Sequence, residues 1–343
     1  MSSVPGLRRI ADKRIKNLFA LSGGFIYSQV LYTCVRLELF DYLCDEPKTP
    51  DALAQHCRLD SEAATRLIRA AVSLDLMEDV GDGRITLGEL GAAMVGNPAV
   101  GDMVRHHAML YADLADPVGL LRGERAETAL GAYWGYAKTD EPDAADADTV
   151  RDYTKLMSAS QSFIAEDVLD AFSLRNKRCL LDVGGGNGTF IGEVAKRYPD
   201  LGLKLFDLPA VAVEARARLG DRPVDIQGGN FFKDHLPLGA DVISLVRIIH
   251  DHDDADVMVL LRKVHEALPS GGMLLLAEPM AGEKADDPIA EAYFGFYLLA
   301  MGSGRPRSVL ELTAMLNAAG FSEIREISTR RPLLTRLLCA SRP

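Results

Sequence analysis

Residues 180–189 read LLDVGGGNGT, and this stretch constrains the fold more than any other. Leu180, Leu181 and Val183 flank Asp182 in a short apolar run of the kind found in a strand buried on both faces. The run breaks into Gly184, Gly185, Gly186 and Gly188, and a helical pattern follows from Phe190 to Arg197. Strand, glycine turn and helix make a cradle for a phosphate or nucleotide, because glycine lets the backbone approach a ligand closely. The dinucleotide fingerprint G-x-G-x-x-G needs a glycine at 189, where this chain has Thr189. The spacing is D-x-G-x-G-x-G. That is a different cradle.

From Lys177 onward, strand and helix patterns alternate, which predicts a doubly wound parallel sheet. Strands are expected at 203–206, 224–227, 241–246 and 273–277, and the tail at 324–327 and 333–338 reads as a closing hairpin. In such sheets a ligand lies beyond the carboxyl ends of the strands, where strand order reverses. Those ends carry Gly184 to Gly188, Asp207, Asn230, His250 and Glu278. Asp207, 19 residues after Gly188, suits two ribose hydroxyls, and it also suits the N-cap of the helix after Leu208-Pro209. The two roles are compatible.

The first half reads differently. Helical spacing runs through Ile26, Val30, Leu31, Val35 and Leu39, and Thr49-Pro50 and Asp60-Ser61 open two further helices. Met77 to Val80 and Arg84 to Leu87 then flank Gly81-Asp82-Gly83 as a hairpin. Three helices and a hairpin are the order of a winged helix, which serves either as a packing and dimerisation module or as a DNA reader. The helix that would enter a groove offers Arg66 and Arg69 among Asp60, Glu62 and Asp75, which is poor phosphate-binding chemistry. Residues 149–163 read as a helix carrying Tyr153, Met157 and Phe163, after an acidic loop at 140–148. The domain boundary is expected near 165, giving 1–165 and 166–343.

Composition narrows the classes. A chain of 343 residues with net charge −11 is large enough for two cores and is no general nucleic-acid binder. Its five cysteines are scattered, so neither a metal site nor a disulfide framework is expected, and a reducing, cytoplasmic compartment fits. No continuous run of about 18 apolar residues is present, so no spanning helix is expected. The basic start (Arg8, Arg9, Lys13, Arg14, Lys16) is a candidate for peripheral contact at an inner membrane.

Five motifs occur in order: LDVGGGNGTF, FDLP, GGNFF, VRIIHDHDD and LPSGGMLLLAEPM. Together they resemble the S-adenosylmethionine-dependent O-methyltransferases of the plant and bacterial small-molecule class, over nearly the whole chain. The resemblance implies a Rossmann-like class I methyltransferase sheet with an N-terminal helical and winged-helix dimerisation domain, hence a homodimer. It implies that Gly184 and Gly186 cradle the methionine part of S-adenosyl-L-methionine, released as S-adenosyl-L-homocysteine. Asp207 and Leu208 would then hold the ribose end, Asn230 and Phe231 the adenine, and Arg247 would contact the cofactor. His250 matches the general base, Glu278 the carboxylate that orients it, and Asp251 a residue near the acceptor oxygen. Imidazole suits proton removal from a hydroxyl near neutral pH. Two departures stand out. Pro306 falls where a second orienting glutamate is expected, and His252 replaces an aromatic Trp.

The segments AEAYFGFYLLAMGSGRPRS (290–308) and LFALSGGFIYSQVLYTCVRLELFDYL resemble the bacterial hydroxyneurosporene (demethylspheroidene) O-methyltransferases of carotenoid biosynthesis. This implies the tertiary hydroxyl of an acyclic carotenoid as acceptor. Tyr293, Phe294, Tyr297 and Met301, with Met157 and Phe163, then line an apolar substrate pocket; an ordinary core helix has the same spacing. A phenolic or polyketide acceptor and a cofactor-sensing winged-helix DNA binder are the competing readings.

Overall fold

The computed structural model of the chain describes residues 5–125, 127–134, 161–282, 289–332 and 334–343. The acidic loop at 140–148, Tyr153, Met157 and most of the helix read at 149–163 lie outside them. Two compact units result, Met1–Ala108 and Met109–Pro343. The division falls before residue 165: of that interval, the described residues 109–125, 127–134 and 161–165 group with the sheet unit. The sequence offered no marker there, because helices continue on both sides of the division.

The first unit has the expected order. Helices Pro5–Arg36, Leu39–Leu43, Pro50–Cys57 and Ser61–Ser73 precede the antiparallel strands β1 (Met77–Gly81) and β2 (Arg84–Leu87). Thr49 and Asp60 cap their helices by accepting the N–H of Ala52 and of Ala63, which satisfies donors that have no partner inside the helix. Leu39, Leu43, Leu53, Ile68, Met77 and Ile85 close the core. Arg66, on the helix that would read DNA, pairs with Glu62.

The long first helix departs from expectation. Its Asp12–Arg36 part contains an 18-residue window of mean hydropathy 1.4 and is long and apolar enough to cross a membrane by length and composition; 11% of that window is buried. The apolar residues are interrupted by Ser, Gly, Gln and Thr, so no continuous run betrays them. Leu18, Phe19, Leu21 and Phe25 are exposed along it.

The second unit is built on seven strands: β3 (Cys179–Val183), β4 (Gly202–Asp207), β5 (Val224–Gly228), β6 (Val242–Val246), β7 (Met273–Glu278), β8 (Ser322–Ile327) and β9 (Arg336–Ser341). Their order is β5-β4-β3-β6-β7-β9-β8. The first five are parallel, and β9 runs antiparallel to both β7 and β8. Alternate residues face opposite layers. Leu181, Val183, Ile243, Leu245, Leu274 and Leu276 fill one, and Leu180, Leu203, Leu205, Val242, Leu275 and Ala277 the other. Order reverses between β3 and β6, so their carboxyl ends open the crevice where this architecture binds ligands.

Candidate active site

Positive φ shapes the glycine turn after β3. Gly184 has φ +70°, and a Cβ there would lie 2.5 Å from the Ile248 side chain. Gly186 has φ +58° with open space where a Cβ would point, so its surface is free to receive a ligand. The loop is tied to β4, because the Gly186 N–H donates to Asp207 Oδ2 at 2.7 Å and the Leu208 N–H to Asp207 Oδ1 at 2.7 Å. Asp207 is 9% exposed, and burial pushes its carboxyl up to about 6 against the pull of those two donors.

Asp182, within the motif but not read as a site residue, sits beneath the loop. Its Oδ1 accepts the Ser244 hydroxyl at 2.6 Å, while its buried Oδ2 has no hydrogen-bond partner among the described residues. Burial drives this carboxyl up to about 7, with the Asp207 charge adding to the effect. The signal was a lone acid inside an apolar strand, which is costly unless it has a purpose. Two buried carboxyls at the cradle favour a positively charged ligand.

At the adenine end, the Asn230 side-chain carbonyl accepts the Phe232 N–H at 2.9 Å and its backbone N–H donates to Asp234. The side chain therefore shapes the loop, and its carbonyl keeps one lone pair for another donor. Phe231 and Phe232 pack edge to face, and His252 lies edge-on to both at 5.6 and 4.9 Å. His252 thus fills the aromatic slot that its sequence position suggested. Burial lowers its pKa, so it packs as a neutral ring.

Arg247 leaves β6 in a left-handed conformation (φ 58°), its N–H held by the Ala277 carbonyl. This turns the chain into the short 3-10 turn Ile249–Asp251, which carries His250. Glu278, the last residue of the adjacent β7, reaches it: Oε2 lies 2.5 Å from His250 Nδ1. Glu278 Oε1 meanwhile accepts the N–H of Ile248 and of Ile249. One carboxylate therefore fixes both the ring and its backbone. His250 and Glu278 are 6% and 2% exposed. On the far side of the ring, Nε2 lies 3.1 Å from Asp251 Oδ1. Burial opposes charging His250 most strongly, but Asp251 and Glu278 together outweigh it and raise its pKa.

The segment with Pro306 in place of a glutamate grips the same turn by other means. Buried Arg307 donates to the carbonyls of Ile249 and His252 at 2.7 Å each and pairs with Asp254. Ser303 Oγ donates to the Asp251 carbonyl. A Cβ on Gly304 would stand 2.0 Å from the His250 carbonyl oxygen, so only glycine fits.

Of the proposed acceptor residues, Phe294 meets His250 edge-on at 6.3 Å. It ends a π-helical turn, Ile289–Phe294, that continues as helix Gly295–Met301; such turns cluster at functional sites. Tyr293 packs on both Phe294 and Tyr297. Tyr297 and Met301 are buried with Leu110, Leu120, Leu130 and Trp134. Trp134, missed in the sequence, donates its indole N–H to the Tyr297 hydroxyl at 3.2 Å. Phe163 packs under the Arg331 guanidinium at 5.1 Å.

Sheet order, glycine loop and carboxyl-end residues define the class I S-adenosylmethionine-dependent methyltransferase fold. Residues 111–322 match the O-methyltransferase domain family, and residues 19–97 the O-methyltransferase dimerisation domain. The chain belongs to this family and is an S-adenosylmethionine-dependent O-methyltransferase. It is 41% identical to demethylspheroidene O-methyltransferase of Cereibacter sphaeroides, over 99% of this chain and 90% of that one. The corresponding figures for the Rhodobacter capsulatus protein of the same name are 40%, 99% and 85%. Human N-acetylserotonin methyltransferase in complex with SAM shares the fold, with TM-score 0.80 at 24% identity, covering 100% of this chain and 99% of that chain.

Proposed function

We propose that this enzyme methylates a hydroxyl of a bulky apolar acceptor, the tertiary hydroxyl of an acyclic hydroxy-carotenoid, with His250 as general base. The observation that carries this reading is the buried His250–Glu278 pair set against the aromatic residues Tyr293, Phe294 and Tyr297. The name printed for the two bacterial relatives favours the same acceptor class.

Bound S-adenosylmethionine supplies the electrophilic methyl group. Gly184 and Gly186 would take its amino-acid end, Asp207 and Leu208 its ribose, and Asn230, Phe231 and Arg247 the remainder. The residues suit it: the cradle is open at Gly186 and lies over two buried carboxyls that favour a cation. His250 removes the hydroxyl proton, and Glu278 keeps Nδ1 protonated so that Nε2 is the basic nitrogen. Tyr293 and Tyr297, whose phenols burial holds well above the usual range, stay neutral and offer an apolar wall. The N-terminal unit pairs two copies, and an intracellular site with contact at the inner membrane would give access to a lipid-soluble acceptor.

Radiolabel transfer from methyl-labelled S-adenosylmethionine, screened side by side on hydroxy-carotenoids and phenolic polyketides, tests the acceptor. Transfer to phenols alone would reject the carotenoid. His250→Ala is expected to lower kcat by about 10²–10⁴-fold, with the cofactor Kd within about twofold of the parent. Equal loss of both would reject the base.

A further inference from the structure

We propose that Asp251 is the proton exit of this site: it takes the proton that His250 receives from the acceptor and passes it to solvent. This rests on His250 being the base.

The problem it solves is one of burial. Each turnover releases one proton into a site whose base is 6% exposed and whose orienting Glu278 is 2% exposed. Glu278 Oε1 is committed to the N–H groups of Ile248 and Ile249, and Oε2 to Nδ1. That side of the ring is sealed. The other side leads outward. Asp251 Oδ1 stands 3.1 Å from Nε2, and its side chain is 22% exposed. A carboxylate in contact with both the basic nitrogen and water is the shortest route out.

The backbone of Asp251 is held by contacts that do not involve its carboxylate. Its carbonyl accepts Ser303 Oγ, and Arg307 holds the carbonyls of Ile249 and His252 on either side of the turn. The carboxylate can therefore yield Nε2 to an entering hydroxyl and return without moving the base.

The cycle balances. The acceptor O–H bond breaks and its proton goes to Nε2 as oxygen gains the methyl group and the C–S bonding pair stays on sulfur. The imidazolium N–H then passes its proton to Asp251 Oδ1, and from there to water or a buffer base. Neutral imidazole is restored. Among the described residues, Glu278, Arg247, His252, Arg307 and Tyr297 are other charged or titratable groups facing the pair. None of them joins Nε2 to solvent in the way Asp251 does.

The test combines two readings of Asp251→Asn, with Asp251→Glu as the conservative control. The first follows the His250 ring by NMR titration of the full-length, cofactor-free protein. The ring is expected to titrate at lower pH in Asp251→Asn and near the parent value in Asp251→Glu. The second follows steady-state turnover with any acceptor found by the screen. Turnover is expected to fall at least tenfold in Asp251→Asn, to recover with added formate or imidazole, and to show a single fast first turnover. An unshifted ring titration, unchanged steady-state turnover, or loss of turnover that neither small base restores would each overturn the relay. Failure of the base assignment itself reads out separately, as retained turnover in His250→Ala.

Discussion

At His250 the two ring nitrogens face different carboxylates, and the difference in their burial assigns their tasks. Glu278 is sealed and holds; Asp251 is partly open and exchanges. Asp207 raises a parallel question at the cofactor end. Its carboxyl, pushed up to about 6 by burial, is protonated over an accessible range. Hydroxyl donors favour the ionised form. Cofactor affinity should therefore be highest above pH 6 and fall as pH drops through that value, by about tenfold per unit once the carboxyl is mostly protonated. Calorimetric titration with S-adenosylhomocysteine between pH 5 and 8 checks this; a flat Kd would exclude Asp207 as the acidic limb. The motif made Asp207, His250 and Glu278 visible because each falls at a strand end. Asp182 was visible only as an oddity, since the surroundings of its second carboxylate oxygen are set by tertiary packing.

At the scale of elements, the turn Ile249–Asp251 is held from two directions, by Glu278 from β7 and by Arg307 from the segment 303–307. Pro306 removes one carboxylate that the family resemblance led us to expect, and the guanidinium one residue later secures the turn through its carbonyls instead. Arg307→Met should leave the carbonyls of Ile249 and His252 without their side-chain donor, at about 2–4 kcal/mol, while Asp254 keeps its pairing with Arg305. The expected outcome is a lower Tm together with a lower kcat and an unchanged cofactor Kd. An unaltered kcat in a destabilised protein would reduce Arg307 to packing. Sequence spacing indicated a helix over the aromatic residues at 293–297 but not that its start, Ile289–Phe294, is π-helical. Period counting assumes 3.6 residues per turn, and a π turn departs from that locally.

For the molecule as a whole, the first helix carries a run of exposed apolar side chains from Ile15 to Tyr27. The dimerisation family match begins at residue 19, within that stretch. Phe19→Asp with Phe25→Asp should convert a dimer to a monomer in sedimentation velocity while far-UV circular dichroism keeps its helical signal, because neither side chain belongs to the core of its own unit. A dimer persisting at micromolar concentration would move the interface elsewhere.

The chain by itself determined the alternation of strands and helices, the glycine cradle and the residues at the strand ends, because those follow from periodicity and from backbone conformations that few residues tolerate. Tertiary structure decided the rest. Cys339 and Leu338 reach β7 only once the tail folds back antiparallel. Trp134 finds the Tyr297 hydroxyl across 163 residues of sequence. Phe163 meets the Arg331 guanidinium across 168 residues of sequence. Long-range pairing of this kind is set by how layers close over the sheet, and no local pattern encodes it.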